Sequence, residues 1–207
     1  MTKIYIARHG ETEGILARRM EARIDSPLTN AGIEQAVALE NRLKDVQFAK
    51  IYSSPSQRAV RTALIIKGHR ETDITFDDHL YELDIPNWDG HKKEEIAQSD
   101  PVLFDQFSNH PELFHPTQGE SFLDLQKRVV AFVELIQGIN TEENLLIVTH
   151  SGVIRMILDF AENKPLSEYW NRGSIPNGSL SIVRIEKQGL IVELEADISH
   201  LQHSLMV

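Results

Sequence analysis

Ile4-Tyr5-Ile6-Ala7-Arg8-His9-Gly10 near the start of the chain and Leu145-Leu146-Ile147-Val148-Thr149-His150-Ser151-Gly152 far along it share one pattern. In each, a short apolar run rich in β-branched residues reads as a buried strand. A histidine follows directly, and a glycine close behind opens a turn into the next element. Such strands, alternating with amphipathic helical segments, predict an α/β fold of three layers, α/β/α, around a mostly parallel central sheet. Sheets of this kind bind ligands outside the carboxyl ends of their strands, so two histidines placed there face one pocket. Two imidazoles with Arg8 beside them suit a phosphate ester, one ring attacking phosphorus while the cations hold the oxygens.

The 207 residues are enough for one compact unit with a real hydrophobic core. The expected organisation is a single domain over residues 1–207, carrying a partly helical, cap-like insertion at about 80–120 over the active site. A hydrophobic fraction of 41% with 25% charged residues fits a globular protein. The net charge of −10 argues against nucleic acid or an anionic membrane as partner, since either needs a concentrated basic face. In so acidic a chain, arginines and histidines gathered in one place point to a bound anion. The absence of cysteine excludes disulfides, thiolate nucleophiles and Cys-based metal sites. Met1-Thr2-Lys3 leads straight into a strand and no apolar run approaches membrane-spanning length, so a cytoplasmic location is expected.

Between the two motifs the periodicity is readable. Thr29 caps a helix running to Leu43, with Ile33, Ala36, Leu39 and Leu43 on its inner face. Residues 50–53 form a strand, after which Ser54-Pro55 supplies a cap and a first-turn proline. That helix carries Arg58, Arg61 and Thr62 and ends near Gly68. A short strand spans 74–76. Pro86, Pro101, Pro111 and Pro116 then break residues 80–119 into short pieces. Ser121 and Asp124 form a capping-box-like start to a long helix with Phe122, Leu125, Val129, Phe132, Val133 and Ile136 on its apolar face. A strand at 144–149, a helix at 152–160 and a hairpin of 179–186 with 190–194 around Gly189 complete the chain.

His9 is the candidate nucleophile, since a neutral imidazole nitrogen attacks phosphorus in line and leaves a phosphohistidine for water to hydrolyse. Neighbouring cations neutralise the phosphoryl oxygens and discourage protonation of the ring. Arg58, in the first turn of a helix, lies where the helix N-terminus already favours an anion. Arg61, one turn on, reads as solvent-facing. His150-Ser151-Gly152 sets an imidazole and free backbone N–H groups at another helix start. The leaving oxygen needs a proton, and Tyr81-Glu82-Leu83-Asp84 offers two carboxyls that a bound phosphate would hold toward the protonated form. The residues alone do not choose between Glu82 and Asp84. Asp89 and Glu94-Glu95 read as solvated surface, and so do His69, His79, His91, His110, His115, His200 and His203, which lack metal-ligand spacing. Trp88 and Trp170 read as packing residues, with an insertion aromatic also able to line the substrate channel. No metal and no organic cofactor are expected.

The motifs fall in an order that resembles the histidine phosphatase superfamily, in its phosphoglycerate mutase-like branch with small phosphatases of the α-ribazole phosphatase type. They are Arg8-His9-Gly10-Glu11-Thr12, Asp25-Ser26-Pro27-Leu28-Thr29, Ser53-Ser54-Pro55 with Arg58-Ala59, Glu82 with Trp88-Asp89-Gly90, Gly119-Glu120-Ser121, and Thr149-His150-Ser151-Gly152-Val153-Ile154-Arg155. The resemblance implies His9 as the phosphorylated nucleophile, Arg8, Arg58 and His150 as the phosphate pocket with Ser151 beside them, and Glu82 as proton donor. It implies a phosphatase for small phosphate monoesters, whose partner is a small phosphorylated metabolite, with a homodimer left open. Two departures stand out. Gly14-Ile15 replaces the family's Trp-Asn, removing an amide that contacts phosphate, and Glu21-Ala22 replaces Gln-Gly. Ile15 and Glu21 are therefore candidates for setting specificity, with Glu21 expected to disfavour a substrate bearing a second anion. The alternatives are a phosphoglycerate mutase-type phosphotransferase, for which Lys92-Lys93 is a thin supply of distal basic residues, and a non-catalytic phosphoester-binding module.

Overall fold

A computed structural model describes residues 2–138 and 143–201; His203 lies outside the described residues. β1 (Lys3–Arg8) leads through a one-turn helix α1 (Glu13–Leu16) to α2 (Asn30–Leu43), β2 (Phe48–Ser53), α3 (Gln57–Lys67) and β3 (Ile74–Phe76). α4 (Lys93–Ser99), α5 (Pro101–Asn109) and the long α6 (Phe122–Gly138) precede β4 (Asn144–Thr149), α7 (Ser151–Ala161) and the hairpin of β5 (Leu180–Glu186) with β6 (Gly189–Asp197). The described strands form one sheet in the order β3-β2-β4-β1-β5-β6. β3, β2, β4 and β1 run parallel to their neighbours, while β5 pairs antiparallel with β1 and β6 with β5. This is the expected α/β architecture with a mostly parallel sheet.

Side-chain alternation along the strands sorts the core into two layers. Ile4 and Ile6 of β1, Leu145 and Ile147 of β4, and Tyr52 of β2 join α6, α7 and the 80–114 aromatics on one face. Ala7, Leu146, Val148, Phe48 and Ile51 point the other way, onto Leu39 and Leu43 of α2 and Ala59, Ala63 and Ile66 of α3. Burying both faces explains why β1 and β4 read as nearly continuous apolar runs.

Two boundaries differ from the sequence reading. α3 begins at Gln57 with Ser56 as its N-cap residue, not at Ser54-Pro55. The cause is the Ser54 N–H, which donates to the Val148 carbonyl at 2.9 Å and so keeps Ser54 in sheet pairing; the first free helical N–H, that of Gln57, is taken by Asp25 Oδ2 at 2.7 Å. Thr29 caps α2 as expected, accepting from the Gly32 N–H at 2.9 Å, but Ile33 is 37% exposed while Ala36, Leu39 and Leu43 are buried. The first turn of α2 packs through Gly32 instead. A Cβ there would stand 2.0 Å from the Glu11 carbonyl oxygen, and one on Gly10 would stand 2.2 Å from the Gly32 carbonyl oxygen. Two backbones touch at this point, which holds the loop after β1 against α2.

Gly32→Ala should therefore displace backbone rather than a flexible side chain, lowering stability by about 1–3 kcal/mol. The urea midpoint should fall with little change in slope. Gly173→Ala, where an added Cβ meets nothing within 4 Å, should move it by less than about 0.5 kcal/mol.

Candidate active site

Because β1 and β4 are parallel neighbours with Arg8 opposite Thr149, the residues just past their ends lie side by side. The His9 and His150 rings stand 5.1 Å apart between centroids. His9 is fixed through its backbone: its N–H donates to the Thr149 carbonyl at 3.0 Å, and its carbonyl accepts from the Gly178 N–H at 3.2 Å and the Asn177 side-chain amide at 3.1 Å. Nδ1 of His9 lies 2.8 Å from the Gly10 carbonyl and donates to it, which leaves Nε2 as the unprotonated nitrogen. Burial holds the ring well below the ordinary histidine range, and the Arg8 and Arg58 guanidiniums push the same way. His150, wholly buried at the start of α7, is lowered by burial first, then by Arg58, His9 and Arg8. Its Nε2 meets the Ser54 hydroxyl at 2.8 Å and the Ser56 hydroxyl at 3.3 Å.

The cations are held in unusual states. Arg8 donates from Nη1 to the Ile175 carbonyl at 2.6 Å and is pushed down to about 10, chiefly by burial. Arg58 is completely enclosed by residues 21–25. Its Nη1 pairs with Asp25 Oδ1 at 2.7 Å and reaches the Ile24 carbonyl at 3.1 Å; its Nη2 donates to the carbonyls of Ala22 at 2.9 Å and Glu21 at 3.2 Å. Yet Nε of Arg8, Nε of Arg58 and Nδ1 of His150 are buried without any hydrogen-bond partner. Buried polar atoms are nearly always paired, so three such nitrogens on Arg8, Arg58 and His150 call for a partner that the described residues do not supply.

Glu82 reaches the same place from the 80–120 segment. Its Oε2 accepts from the Gly152 N–H at 3.1 Å and the Ser151 hydroxyl at 3.3 Å, and its Oε1 from the Leu83 N–H at 2.9 Å. A Cβ on Gly152 would sit 2.2 Å from Oε1, so only glycine admits the carboxylate at this helix start. Asp84 is elsewhere, its carboxylate 3.7 Å from Arg23 Nε. Arg8, His9, Glu82 and Ser151 open onto a cavity of about 480 Å³, whose far wall is Trp88, Phe107, Phe122, Tyr169 and Trp170. Arg58 and His150, both buried, are not among the residues that line this cavity, and Arg61 is exposed. Among the described residues no cluster of His, Asp and Glu is arranged to hold a metal ion, and no helix is long and apolar enough to cross a membrane.

Ile15 and Glu21 both border the cavity. Glu21 accepts from the Thr12 hydroxyl at 2.5 Å and from the Ser26 hydroxyl, so its carboxylate ties together the loop that follows β1. Asp89 is no solvated acid: it accepts from the N–H groups of Ala22, Arg23 and Ile24 at 2.8, 2.7 and 2.6 Å, joining that loop to the 80–120 segment. His200 is likewise half-buried, between Arg42 at 2.7 Å and the Gly178 carbonyl at 2.8 Å. Arg155, which lines the cavity, enters the sequence analysis only as the last residue of a motif and without a role; its position four residues after Ser151, hence on the same helix face, was the available signal. Ser56 and Tyr169 left no such signal.

The model of the histidine phosphatase superfamily (branch 1) matches residues 4–198. The chain belongs to that family. It is a histidine phosphatase, a phosphoric monoester hydrolase of the kind that works through a phosphohistidine. A metal-independent phosphoserine phosphatase of Arabidopsis thaliana is 32% identical over 204 residues, 97% of this chain and 84% of that protein. A probable phosphoglycerate mutase GpmB of Escherichia coli O1:K1 is 30% identical, over 97% of this chain and 95% of that protein. The solved structure of Bacillus stearothermophilus YhfR superposes with a TM-score of 0.93 at 37% identity, covering 97% of this chain and all of that one.

The two lowered histidines give this phosphatase a stability signature. Folded, both rings stay neutral below the ordinary value of 6.5, where the unfolded chain already takes up protons. Stability is then fully present above 6.5 and is lost progressively as pH falls from there toward the folded-state values. Urea midpoints should drop between about pH 7 and about pH 5 for the native chain, and drop less for His9→Gln. Each histidine removed takes away at most about 1.4 kcal/mol per pH unit. Parallel lines for the two proteins would show that His9 does not titrate this way.

Proposed function

We propose that His9 Nε2 is the nucleophile of this phosphatase and Glu82 its general acid, acting on small phosphate monoesters without a metal. Nε2 attacks phosphorus, the N–P bond forms as the ester P–O bond breaks, and Glu82 delivers a proton to the departing oxygen. Water then attacks the phosphohistidine, Glu82 takes a proton from it, and inorganic phosphate leaves with His9 restored. Arg8, Arg58 and the Nδ1–H of His150 hold the phosphoryl oxygens, with the Ser151 hydroxyl beside Glu82. One observation carries this reading: the buried, unpartnered nitrogens of Arg8, Arg58 and His150, which belong to the same cluster of buried groups as an imidazole whose Nδ1 is held by the Gly10 carbonyl. The cavity volume suits a small metabolite. The 80–120 segment is its lid, contributing Glu82 at one end and the aromatic wall over the phosphate.

His9→Ala should lower turnover at least ~10³-fold, since no other side chain near the orphan donors can accept the phosphoryl group. Acid quenching of the native enzyme during turnover should trap an acid-labile phosphoenzyme that the variant lacks. Near-normal turnover by His9→Ala would refute the assignment.

Glu82→Gln separates proton donation from positioning. With an alkyl phosphate the rate should fall ~10²–10⁴-fold, but far less with p-nitrophenyl phosphate, whose leaving group departs unprotonated. Equal losses on both would mean that Glu82 only positions.

A further inference from the structure

Arg155 is left over once the phosphate site is accounted for. It sits one turn into α7, more than nine-tenths buried, on the wall of the catalytic cavity. Its guanidinium packs over the Trp170 ring at 5.2 Å and the Tyr169 ring at 5.5 Å. Nη1 donates to the carbonyls of Arg172 at 2.5 Å and Tyr169 at 3.4 Å, which anchors one edge of the fork. Among the described residues, Nε and Nη2 make no hydrogen bond and no carboxylate pairs with this cation. Nearby acids are available and are taken by another residue: Arg172 pairs with Asp159 at 2.9 Å, Glu162 at 2.6 Å and Glu195 at 2.6 Å. A guanidinium this buried and rigidly backed, within the field of Asp159 but with no ion-pair partner among the described residues, can take an anion from outside the protein.

Its place in the helix says how far that anion is from the phosphate. Ser151 and Arg155 are i and i+4, so they share a face about 6 Å apart along the axis. Helical side chains lean toward the N-terminus, which aims Arg155 back toward Ser151, Glu82 and His9. A phosphoryl group on His9 and an anion on Arg155 are then separated by roughly a short carbon chain.

Resting on the phosphatase reading above, we propose that Arg155 is a specificity-determining subsite that binds a carboxylate on the substrate's organic part. Its two free N–H groups form a bidentate pair with that carboxylate, and Trp170 and Tyr169 fix the fork in place. The subsite opposes the expectation drawn from Glu21, whose carboxylate is already engaged by Thr12 and Ser26. The cavity thereby favours phosphorylated small carboxylic acids over esters of the same size without the acid.

3-Phosphoglycerate and glycerol 3-phosphate differ by a carboxylate in place of a hydroxymethyl group and are the discriminating pair. The native enzyme should favour the acid in kcat/KM on the order of 10-fold or more, and Arg155→Gln should erase that preference through KM rather than kcat. Arg155→Lys should restore part of it, as a point charge in place of a fork. No preference in the native enzyme would overturn the proposal without recourse to any variant. So would equal losses on both esters in Arg155→Gln, which would mark a purely structural role. Failure of the phosphatase reading looks different: p-nitrophenyl phosphate would then go unhydrolysed, or be hydrolysed equally well by His9→Ala.

Discussion

The parallel pairing of β1 with β4 is the constraint from which the site follows. Parallel neighbours end at the same edge of a sheet, and here Arg8 stands opposite Thr149, so the two residues that leave the sheet together are His9 and His150. Antiparallel pairing would have sent one histidine to the opposite edge. A slip of one residue would have turned Ile4 and Ile6 out of their layer, so the packing of two apolar faces enforces the register that the chemistry needs. β5 completes the frame from the other side. Running antiparallel to β1, it brings the preceding 175–179 segment to His9, where Ile175 accepts from Arg8 and Asn177 donates to the His9 carbonyl.

Within that frame the cost and the function are the same feature. Folding buries two imidazoles and two guanidiniums close together. The imidazoles respond by staying neutral, and burial lowers the Arg8 guanidinium to about 10. An unpaired buried polar group costs on the order of 1–3 kcal/mol, and Arg8, Arg58 and His150 each carry one. A structure optimised for stability alone would have capped them, as Asp25 and the 21–24 carbonyls cap the outer edge of Arg58. Left open on the inner edge, they are preorganised for an anion and need no rearrangement when charge develops on the phosphoryl oxygens.

The strands, the cap at Thr29, the long amphipathic α6 and both histidine motifs were legible in the sequence because each depends on local periodicity or on a turn chemistry confined to a few residues. Local patterning said nothing of where a polar side chain would find its partner across the fold. Asp89 reads as a surface acid until residues 22–24 present three N–H groups to it, and Ser54 reads as a helix cap until its N–H is claimed by Val148 of the neighbouring strand. Ile33 reads as part of the inner stripe but is exposed, and the first turn of α2 meets the loop after β1 through Gly32. Glu82 and Asp84, two residues apart, could not be separated by composition; the Gly152 N–H, some seventy positions away, distinguishes them.

The two ends of the cavity rest on different kinds of structure. The phosphate end is built from strand ends and helix starts, whose backbone groups are fixed by sheet pairing, so its geometry tolerates little drift. The other end is assembled from the 80–120 segment, the second turn of α7 and the turn carrying Tyr169 and Trp170, held by aromatic packing such as Trp88 against Phe107 and Phe122 against Tyr169. Packing of this sort adapts to substitution with only modest loss of stability. On the proposed assignments, chemistry is thus anchored where the fold is least forgiving, and selectivity where it is most so. Arg155 belongs to both: its Cα rides on the helix whose start holds His150 and Glu82, while its charged end lies among the aromatics. A change at the aromatic wall therefore moves the guanidinium without moving the nucleophile, and substrate preference can shift while phosphoryl transfer stays intact.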